Sequence, residues 1–260
     1  MPGGIVSNNP CIDAVLAEIA SPGQISAISR YSHDPASASA PHAWAKHLPA
    51  IGTSAEEILV ARPRLVLTGN LASSGTNAAL SSAGVDVVAL GVGATLAEDS
   101  AQIRQIARVI GRQEEGERLV ARIERSIPTI KAHAPIVSAI IWQNGGFVAG
   151  KGTLQDELLA RHGFRNASQS YGLTSWDILP LERLIRNPPQ VIFMPEGGEG
   201  DDARVLKARH RLLRHLGQKT KVIPFPDRLL FCGGPTIIAV SQILAETKRE
   251  LTLAARGSAR

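Results

Sequence analysis

Apolar residues along the 260-residue chain follow two alternating patterns. Short runs rich in Val and Ile, typical of buried β-strands, alternate with stretches in which apolar residues recur every three or four positions, as in amphipathic helices. The strand-like runs are IVS (5–7), ISAIS (25–29), LVLTG (65–69), DVVALG (86–91), SAIIW (138–142), FVAG (147–150), VIFM (191–194) and KVIPF (221–225). This alternation predicts an α/β protein whose sheets are mostly parallel and covered on both faces.

Residues 97–134 interrupt the alternation, because they carry no strand signal. Two amphipathic stripes occupy the segment. The second predicts a helix over about 114–133, roughly 30 Å long at 1.5 Å per residue, which Pro128 should kink or end early. We therefore expect two Rossmann-like lobes joined by a single long α-helix: an N-terminal α/β lobe over 1–96, a helical connector over 97–134 and a C-terminal α/β lobe over 135–260.

One sequence element occurs twice. EEILVARPRLVL at 56–67 and ERLIRNPPQVIF at 182–193 each contain a glutamate, a short helix-like run, a proline and a strand-like run, and their first residues, Glu56 and Glu182, lie 126 positions apart. Such an internal repeat indicates that the two lobes are built on the same plan.

The chain carries 28 Lys and Arg against 23 Asp and Glu, a net charge of +5 that lies in the C-terminal half. Its most basic stretch, KARHRLLRH (207–215), has leucines at helical spacing and no aromatic residue for base stacking, so a solvated helix face is favoured over nucleic-acid binding. No apolar run approaches the roughly 18 residues that a membrane span needs, and no leader opens the chain. We expect no nucleic-acid partner, no membrane-spanning segment, and either a cytosolic protein or a mature exported one.

Six motifs stand in a fixed order along nearly the whole chain. They are IVSNNPCIDAVLAEI (5–19), AISRYSHDP (27–35), TSAEEILVARPRLVL (53–67), NGGFVAGKGTLQDELL (144–159), SWDILPLERLIRNPPQVI (175–192) and FCGGP (231–235). In this order they resemble the periplasmic substrate-binding proteins of ABC importers for vitamin B12 and ferric siderophores, the type with a helical backbone. The resemblance implies a non-enzymatic, monomeric periplasmic protein without a cofactor, which holds a metal complex in the cleft between two α/β lobes and delivers it to an ABC permease with its ATPase subunits.

Candidate ligand-binding residues follow the strands, because ligands of open α/β sheets lie beyond the carboxyl ends of the strands. Tyr31 resembles the cleft tyrosine of the B12-binding members, and Trp176 falls where those proteins have a ligand-facing tryptophan. The expected ligand-binding residues are Asn8, Asn9, Tyr31, Trp142, Trp176, Arg228 and Phe231. Aromatic faces with a few polar anchors suit a large planar or macrocyclic ligand.

The closing FCGGP motif (231–235) departs from the B12-binding pattern, which has charged residues at this place. The ligand is therefore open between a ferric siderophore, cobalamin, a related corrinoid and heme. Arg228 is the nearby cation and could meet a carboxylate or an anionic metal complex.

The resemblance also assigns a docking role to the repeated glutamates. In the family, one surface glutamate of each lobe fits an arginine pocket of the permease, which implies Glu56 and Glu182, with Glu57 as the alternative in the first lobe. The structural alternative is that Glu56 is an acid favoured by a helix N-terminus and Glu182 a surface charge.

Cys11 and Cys232 are the only cysteines. If the lobes are as implied, the two fall on opposite lobes near the cleft, where they could pair, bind a soft metal, or stay reduced as small buried residues. We favour the reduced form. A metal cluster of His33, Asp34, His42 and His47 is not expected, because these residues occupy a loop rich in Pro, Ala and Ser.

Two other functions compete. A cytosolic metal-complex chaperone of the same fold would also fit the lack of a leader. A nucleotide-dependent Rossmann enzyme is suggested by GVGATL (91–96), but this motif follows the fourth strand and lacks the third glycine of the dinucleotide fingerprint.

Overall fold

A computed structural model describes residues 3–34, 38–69, 74–91, 93–129, 136–195, 207, 216, 220–230 and 232–257. The chain divides into two compact units. The first unit contains Met1–Glu124 together with Phe231–Ile237, and the second contains Arg125–Leu230 together with Ile238–Arg260.

The first unit is a five-stranded parallel sheet with helices. Its strands are β1 (Ile5–Ser7), β2 (Ile25–Ser29), β3 (Ala50–Ile51), β4 (Leu65–Gly69) and β5 (Asp86–Leu90), in the order β3-β2-β1-β4-β5. Its helices are α1 (Pro10–Ile19), α2 (His42–Ala45), α3 (Ala55–Val60), α4 (Ser74–Ser82), α5 (Leu96–Val109) and α6 (Gln113–Ser126). The central strands β1 and β4 are buried along their whole length, as expected for strands covered on both faces.

The predicted connector differs from the structure in its extent. The helix expected over about 114–133 ends at Ser126, two residues before Pro128, since proline cannot continue the helical hydrogen-bond ladder. The apolar stripes of α5 and α6 are buried, and the Arg112 side chain donates to the Ile19 carbonyl at 3.1 Å. Helix α5 and α6 as far as Glu124 therefore belong to the first unit rather than to a separate segment.

The described residues of the second unit form two sheets. Strands β6 (Val137–Ile141), β8 (Phe164–Asn166), β10 (Val191–Met194) and β11 (Lys221–Pro224) form a parallel sheet in the order β11-β10-β6-β8. Strands β7 (Phe147–Ala149) and β9 (Trp176–Ile178) form an antiparallel pair. The helices described in this unit are α7 (Leu154–Arg161), α8 (Leu181–Arg186) and α9 (Thr236–Gly257), the last of which begins in the first unit.

The repeated sequence element folds the same way in both units. Glu56 lies on α3, which leads into β4, and β4 pairs with β1; Glu182 lies on α8, which leads into β10, and β10 pairs with β6. In each case the strand after the glutamate helix lies beside the first strand of its unit. The α/β class, the mostly parallel sheets and the division into two α/β bodies are thus confirmed.

The basic stretch and the membrane-span expectation concern the following parts of the chain. Of the basic stretch at 207–215, only Lys207 lies within the described residues. In the parts of the chain that are described, no helix is both long enough and apolar enough to cross a membrane.

Candidate functional site

The carboxyl ends of β1 and β2 place two groups of predicted ligand-binding residues at one edge of the first sheet. Strand β1 leads into Asn8 and Asn9, and β2 leads into Tyr31. Because β1 and β2 are neighbours and run parallel, both groups leave the sheet at the same edge.

Tyr31 lies in a short 3-10 turn, Arg30–His33, directly after β2. The hydroxyl of Ser29 accepts a hydrogen bond from the Tyr31 backbone N–H at 3.3 Å, which begins the turn. The side chain of Tyr31 is 56% exposed, and such exposure is unusual for an aromatic residue at the end of a buried strand. The turn therefore carries a solvent-exposed aromatic residue at the carboxyl edge of the sheet.

The buried carboxyl group of Asp13 accepts hydrogen bonds from two residues of this turn. One oxygen of Asp13, Oδ2, accepts from the Ser29 backbone N–H at 3.0 Å and from the Ser32 hydroxyl at 2.6 Å. Burial raises the pKa of Asp13 from its ordinary value of 3.8 to about 7, and hydrogen bonds from Ser32, Ser7 and Ser29 oppose that rise. Sequence reasoning missed Asp13, although an acid inside the otherwise apolar run IDAVLA (12–17) was a usable signal.

Asn9 is the N-cap residue of helix α1. Its side-chain Oδ1 accepts from the backbone N–H groups of Cys11 and Ile12 at 2.8 and 3.3 Å, which caps the N-terminus of α1. Asn8 is buried beside it, and its backbone N–H donates to the Leu67 carbonyl at 3.3 Å. The oxygen of Asn9 is therefore used by the helix, and Asn8 offers little exposed surface to a ligand.

Arg30 and Glu57 form an ion pair next to Tyr31. The distance between Arg30 Nη2 and Glu57 Oε1 is 2.9 Å, and Ser54 Oγ donates to the other carboxylate oxygen of Glu57 at 3.3 Å. Gly52 makes room for the pair, because a Cβ there would lie 1.8 Å from Arg30 Nη2. Both side chains are about half exposed, so the pair contributes at most about 1 kcal/mol to stability.

The antiparallel pair β7–β9 carries an aromatic surface in the second unit. Phe147 and Trp176 are stacked, with ring centroids 5.2 Å apart and planes inclined by 8°. The Cα of Phe147 pairs with that of Ile178, so Phe147, Trp176 and Ile178 share one face of the pair, whereas Val148 faces the hydrophobic core. Trp176 is 37% exposed and Ile178 is 58% exposed. The sequence shows no strand-like run at Trp176–Ile178, and Phe147 was not among the expected ligand-binding residues.

This aromatic face adjoins the carboxyl end of β6. Trp142 follows β6 and forms an antiparallel bridge with Val148, and the Gln143 backbone N–H donates to the Phe147 carbonyl at 2.8 Å. The Gln143–Gly146 turn between β6 and β7 contains Gly145 and Gly146, both with φ near +80°, a conformation that favours glycine. The face thus lies at the edge of the second sheet where ligands of α/β folds bind.

Trp142 itself is a core residue, which corrects its expected role in ligand binding. It is only 4% exposed and packs in a cluster with Ile140, Leu179 and Ile192. Its indole N–H donates to the Leu179 carbonyl at 2.9 Å, so its only polar group is already satisfied inside the unit. From sequence alone, an aromatic residue directly after a strand can either bind a ligand or pack in the core. Only the packing seen in the structure distinguishes the two.

Two further candidates follow β11. Arg228 lies in the 3-10 turn Asp227–Leu229 with its side chain exposed. Phe231 lies outside the described residues.

Cys11 and Cys232 form a disulfide, which corrects the expectation that both are reduced. They also do not fall on opposite lobes: the segment Phe231–Ile237 belongs to the first unit, as does Cys11. The sequence could not indicate this, because the segment returns to the first unit from within the C-terminal half of the chain.

The candidate docking glutamates are exposed. Glu56 on α3 and Glu182 on α8 both point to the surface, each in the first turn of its helix. Glu57 is also exposed, but its carboxylate is engaged by Arg30 and Ser54. Within the described ranges no cluster of three or more His, Cys, Asp or Glu side chains is arranged to hold a metal ion.

Comparisons with known proteins agree with this architecture. The family model described as "Periplasmic binding protein" matches residues 5–217. No curated protein matches the chain in sequence.

Three solved structures illustrate the likeness of fold. The periplasmic heme-binding protein RhuT from Roseiflexus sp. RS-1, in its apo form, is 22% identical with a TM-score of 0.72, over 95% of this chain and 100% of that one. The periplasmic heme-binding protein HutB of Vibrio cholerae is 18% identical with a TM-score of 0.74, over 96% and 99%. A periplasmic heme-binding protein from Pseudomonas aeruginosa is 21% identical with a TM-score of 0.73, over 95% and 92%.

Identities this low establish the fold alone, whereas the family model covers well over half of the chain. The chain belongs to the periplasmic binding protein family, the substrate-binding proteins of ABC importers.

Proposed function

We propose that this protein is an extracytoplasmic solute-binding protein, not an enzyme, that captures a metal complex with a large planar ring and delivers it to an ABC importer. Heme is the favoured ligand. The similar structures from three bacteria are described as heme-binding proteins, and cobalamin, a related corrinoid or a ferric siderophore are the alternatives.

The observation that carries the proposal is the aromatic face of the second unit. Stacked Phe147 and Trp176, with Ile178 beside them, form an exposed apolar surface on the β7–β9 pair, which adjoins the carboxyl end of β6. A contiguous exposed apolar patch often marks a binding site, whereas single exposed apolar residues are common on any protein surface. A flat ring stacked on the indole of Trp176 would remove that face from water.

Tyr31 is the candidate metal-facing residue of the first unit. A tyrosine oxygen is one of the axial ligands that proteins provide to heme iron. Tyr31 carries its phenol at an exposed turn at the carboxyl edge of its sheet. We propose that its oxygen approaches the metal of the bound complex, and that Arg228 meets an acidic group at the periphery of the ligand.

The disulfide favours the extracytoplasmic form of this proposal over a cytosolic metal-complex chaperone. Disulfides form and persist in oxidising compartments and are rare in the reducing cytosol. A thiol assay on protein drawn directly from cells distinguishes the two: an intact Cys11–Cys232 bond supports export, and two free thiols support the cytosolic chaperone.

The test of the ligand is a titration of the wild-type protein with heme, cobalamin, cobinamide and a panel of ferric siderophores, followed by absorbance and by tryptophan fluorescence. Loss of about 80 Å² of contact at one ring corresponds to roughly 2 kcal/mol, or about thirtyfold in affinity. Trp176→Ala should therefore weaken heme binding by about ten- to a hundredfold. Tyr31→Phe should keep part of the affinity but change the visible absorption bands of the bound heme.

Matched controls separate binding from folding. Ile136→Ala removes another exposed apolar side chain, and Tyr171→Phe removes the other tyrosine hydroxyl, which donates to the Asn187 carbonyl. Neither control should alter heme affinity or the heme spectrum. Tight binding of a siderophore or a corrinoid with no binding of heme would overturn the heme assignment. If Trp176→Ala kept full affinity, the aromatic face would not be the site.

A further inference from the structure

We infer that Asp13 is a positioning residue for ligand binding: from inside the first unit it fixes the turn that presents Tyr31. The ligand-binding part of this inference rests on the proposed role of Tyr31. Asp13 itself is fully buried, so its proposed effect on binding acts through the turn and not through contact with the ligand.

The geometry ties both sides of the turn to a single atom. Ser29 precedes Arg30 and Tyr31, and Ser32 follows them; the backbone N–H of Ser29 and the hydroxyl of Ser32 both donate to Asp13 Oδ2, at 3.0 and 2.6 Å. Ser29 in turn accepts from the Tyr31 backbone N–H at 3.3 Å. The position of the Tyr31 backbone therefore follows the position of the Asp13 carboxyl.

Asp13 is held in place by a capped helix. Asp13 lies in the first turn of α1, between the buried residues Ile12 and Ala14, and α1 is capped by Asn9. The Ser7 hydroxyl at the end of β1 donates to the Asn9 carbonyl at 3.2 Å, and Ser7 lies near enough to lower the pKa of Asp13. The Asp13 carboxyl thus connects the end of β2 and the turn that follows it, at Ser29 and Ser32, with the first turn of α1.

Holding a turn with a buried carboxyl lowers the stability of the fold. Burying a carboxyl costs free energy, which the raised pKa of Asp13 reflects, and Oδ1 has no hydrogen-bond partner among the described residues. Buried ionisable groups with such pKa shifts concentrate near functional sites. Here the carboxyl provides short, directional hydrogen bonds to two donors at once, which an apolar core residue cannot do.

The experiment compares Asp13→Ala, Asp13→Asn, Tyr31→Phe and wild type for heme affinity and heme spectrum, each per folded molecule. Asp13→Ala removes the acceptor and should weaken heme binding at least tenfold and shift the absorption bands in the direction seen for Tyr31→Phe. Asp13→Asn keeps one acceptor oxygen and should retain most of the affinity. Asp99→Ala, which removes a second carboxyl that is buried among the described residues of the first unit, should lower stability without changing the spectrum.

Amide hydrogen exchange at Tyr31 gives a measurement that does not need the ligand. Asp13→Ala should accelerate exchange of the Tyr31 amide more than exchange in the buried strand β4. Unchanged exchange at Tyr31, or a destabilised Asp13→Ala protein that binds heme with wild-type affinity and spectrum, overturns the inference. If wild type binds no heme, or if Tyr31→Phe leaves the spectrum unaltered, the proposed function fails instead, and the exchange measurement still decides whether Asp13 positions the turn.

Discussion

Cys11 and Cys232, separated by 221 positions in the sequence, are joined by a disulfide with a Cα–Cα distance of 5.1 Å. The bond holds the loop before α9 against the N-terminus of α1. A second contact acts two residues further on, where the Gly234 backbone N–H donates to Asp99 Oδ1 at 2.8 Å in α5. A short segment from the C-terminal half of the chain is thereby built into the first unit.

Removal of this disulfide should lower the stability of the first unit. We expect the variant with both Cys11→Ala and Cys232→Ala to lose about 2–5 kcal/mol in free energy of unfolding, because the bond restricts the unfolded chain. Urea unfolding with and without reductant measures this. Reductant should shift the wild-type midpoint and leave that of the double variant unchanged. Equal midpoints for wild type and double variant would show that the segment is held by Asp99 and packing alone.

Substitution of Trp142 should affect folding rather than binding. Trp142→Phe leaves the Leu179 carbonyl without its indole donor and leaves unfilled space in the core of the second unit, at a cost of about 2–4 kcal/mol. The heme affinity of the folded fraction should equal that of wild type. Thermal unfolding together with heme titration checks both statements, and a loss of affinity without a loss of stability would return Trp142 to the ligand site.

The sequence was sufficient to predict those strands that are recognisable from their own apolar residues. Strands β1, β2, β4 and β10 are mostly apolar runs bounded by polar residues, glycine or proline, so their existence and parallel packing follow from the pattern. The repeat around Glu56 and Glu182 also predicted that two units share one plan.

Features that depend on distant partners could not be predicted. The strand beginning at Trp176 is only three residues long and is defined by pairing with β7, almost thirty positions earlier. The apolar spacing in α5 and α6 predicted that one face of each helix is buried, but it did not indicate which of the two units that face packs against. Trp142 and Asp13 are each explained by hydrogen-bond partners, Leu179 and Ser32, that only the folded chain brings close.

Stability should depend on pH through Asp99. Burial raises its pKa from 3.8 to about 6, although the hydrogen bond from Gly234 opposes the rise. Between pH 4 and pH 6 the folded state therefore holds a proton that the unfolded state has lost, so this group makes the protein less stable as pH rises through that window. Asp99→Asn keeps an acceptor for Gly234 and removes the titration. Urea midpoints at pH 4.5, 6 and 7.5 should show a smaller decline with pH in the variant; identical slopes would contradict the pKa shift.

The exposed glutamates Glu56 and Glu182 should act only in delivery to the transporter. Glu57 is held by Arg30, which leaves Glu56 as the better candidate on α3 to enter an arginine pocket of a permease. The variant with both Glu56→Ala and Glu182→Ala should bind ligand with unchanged affinity but should no longer stimulate ATP hydrolysis by the cognate importer in proteoliposomes. A control with Glu124→Ala and Glu246→Ala removes one other exposed glutamate from each unit and should stimulate normally. Weakened ligand binding in the first variant would move these glutamates into the ligand site, and full stimulation would leave them as ordinary surface charges.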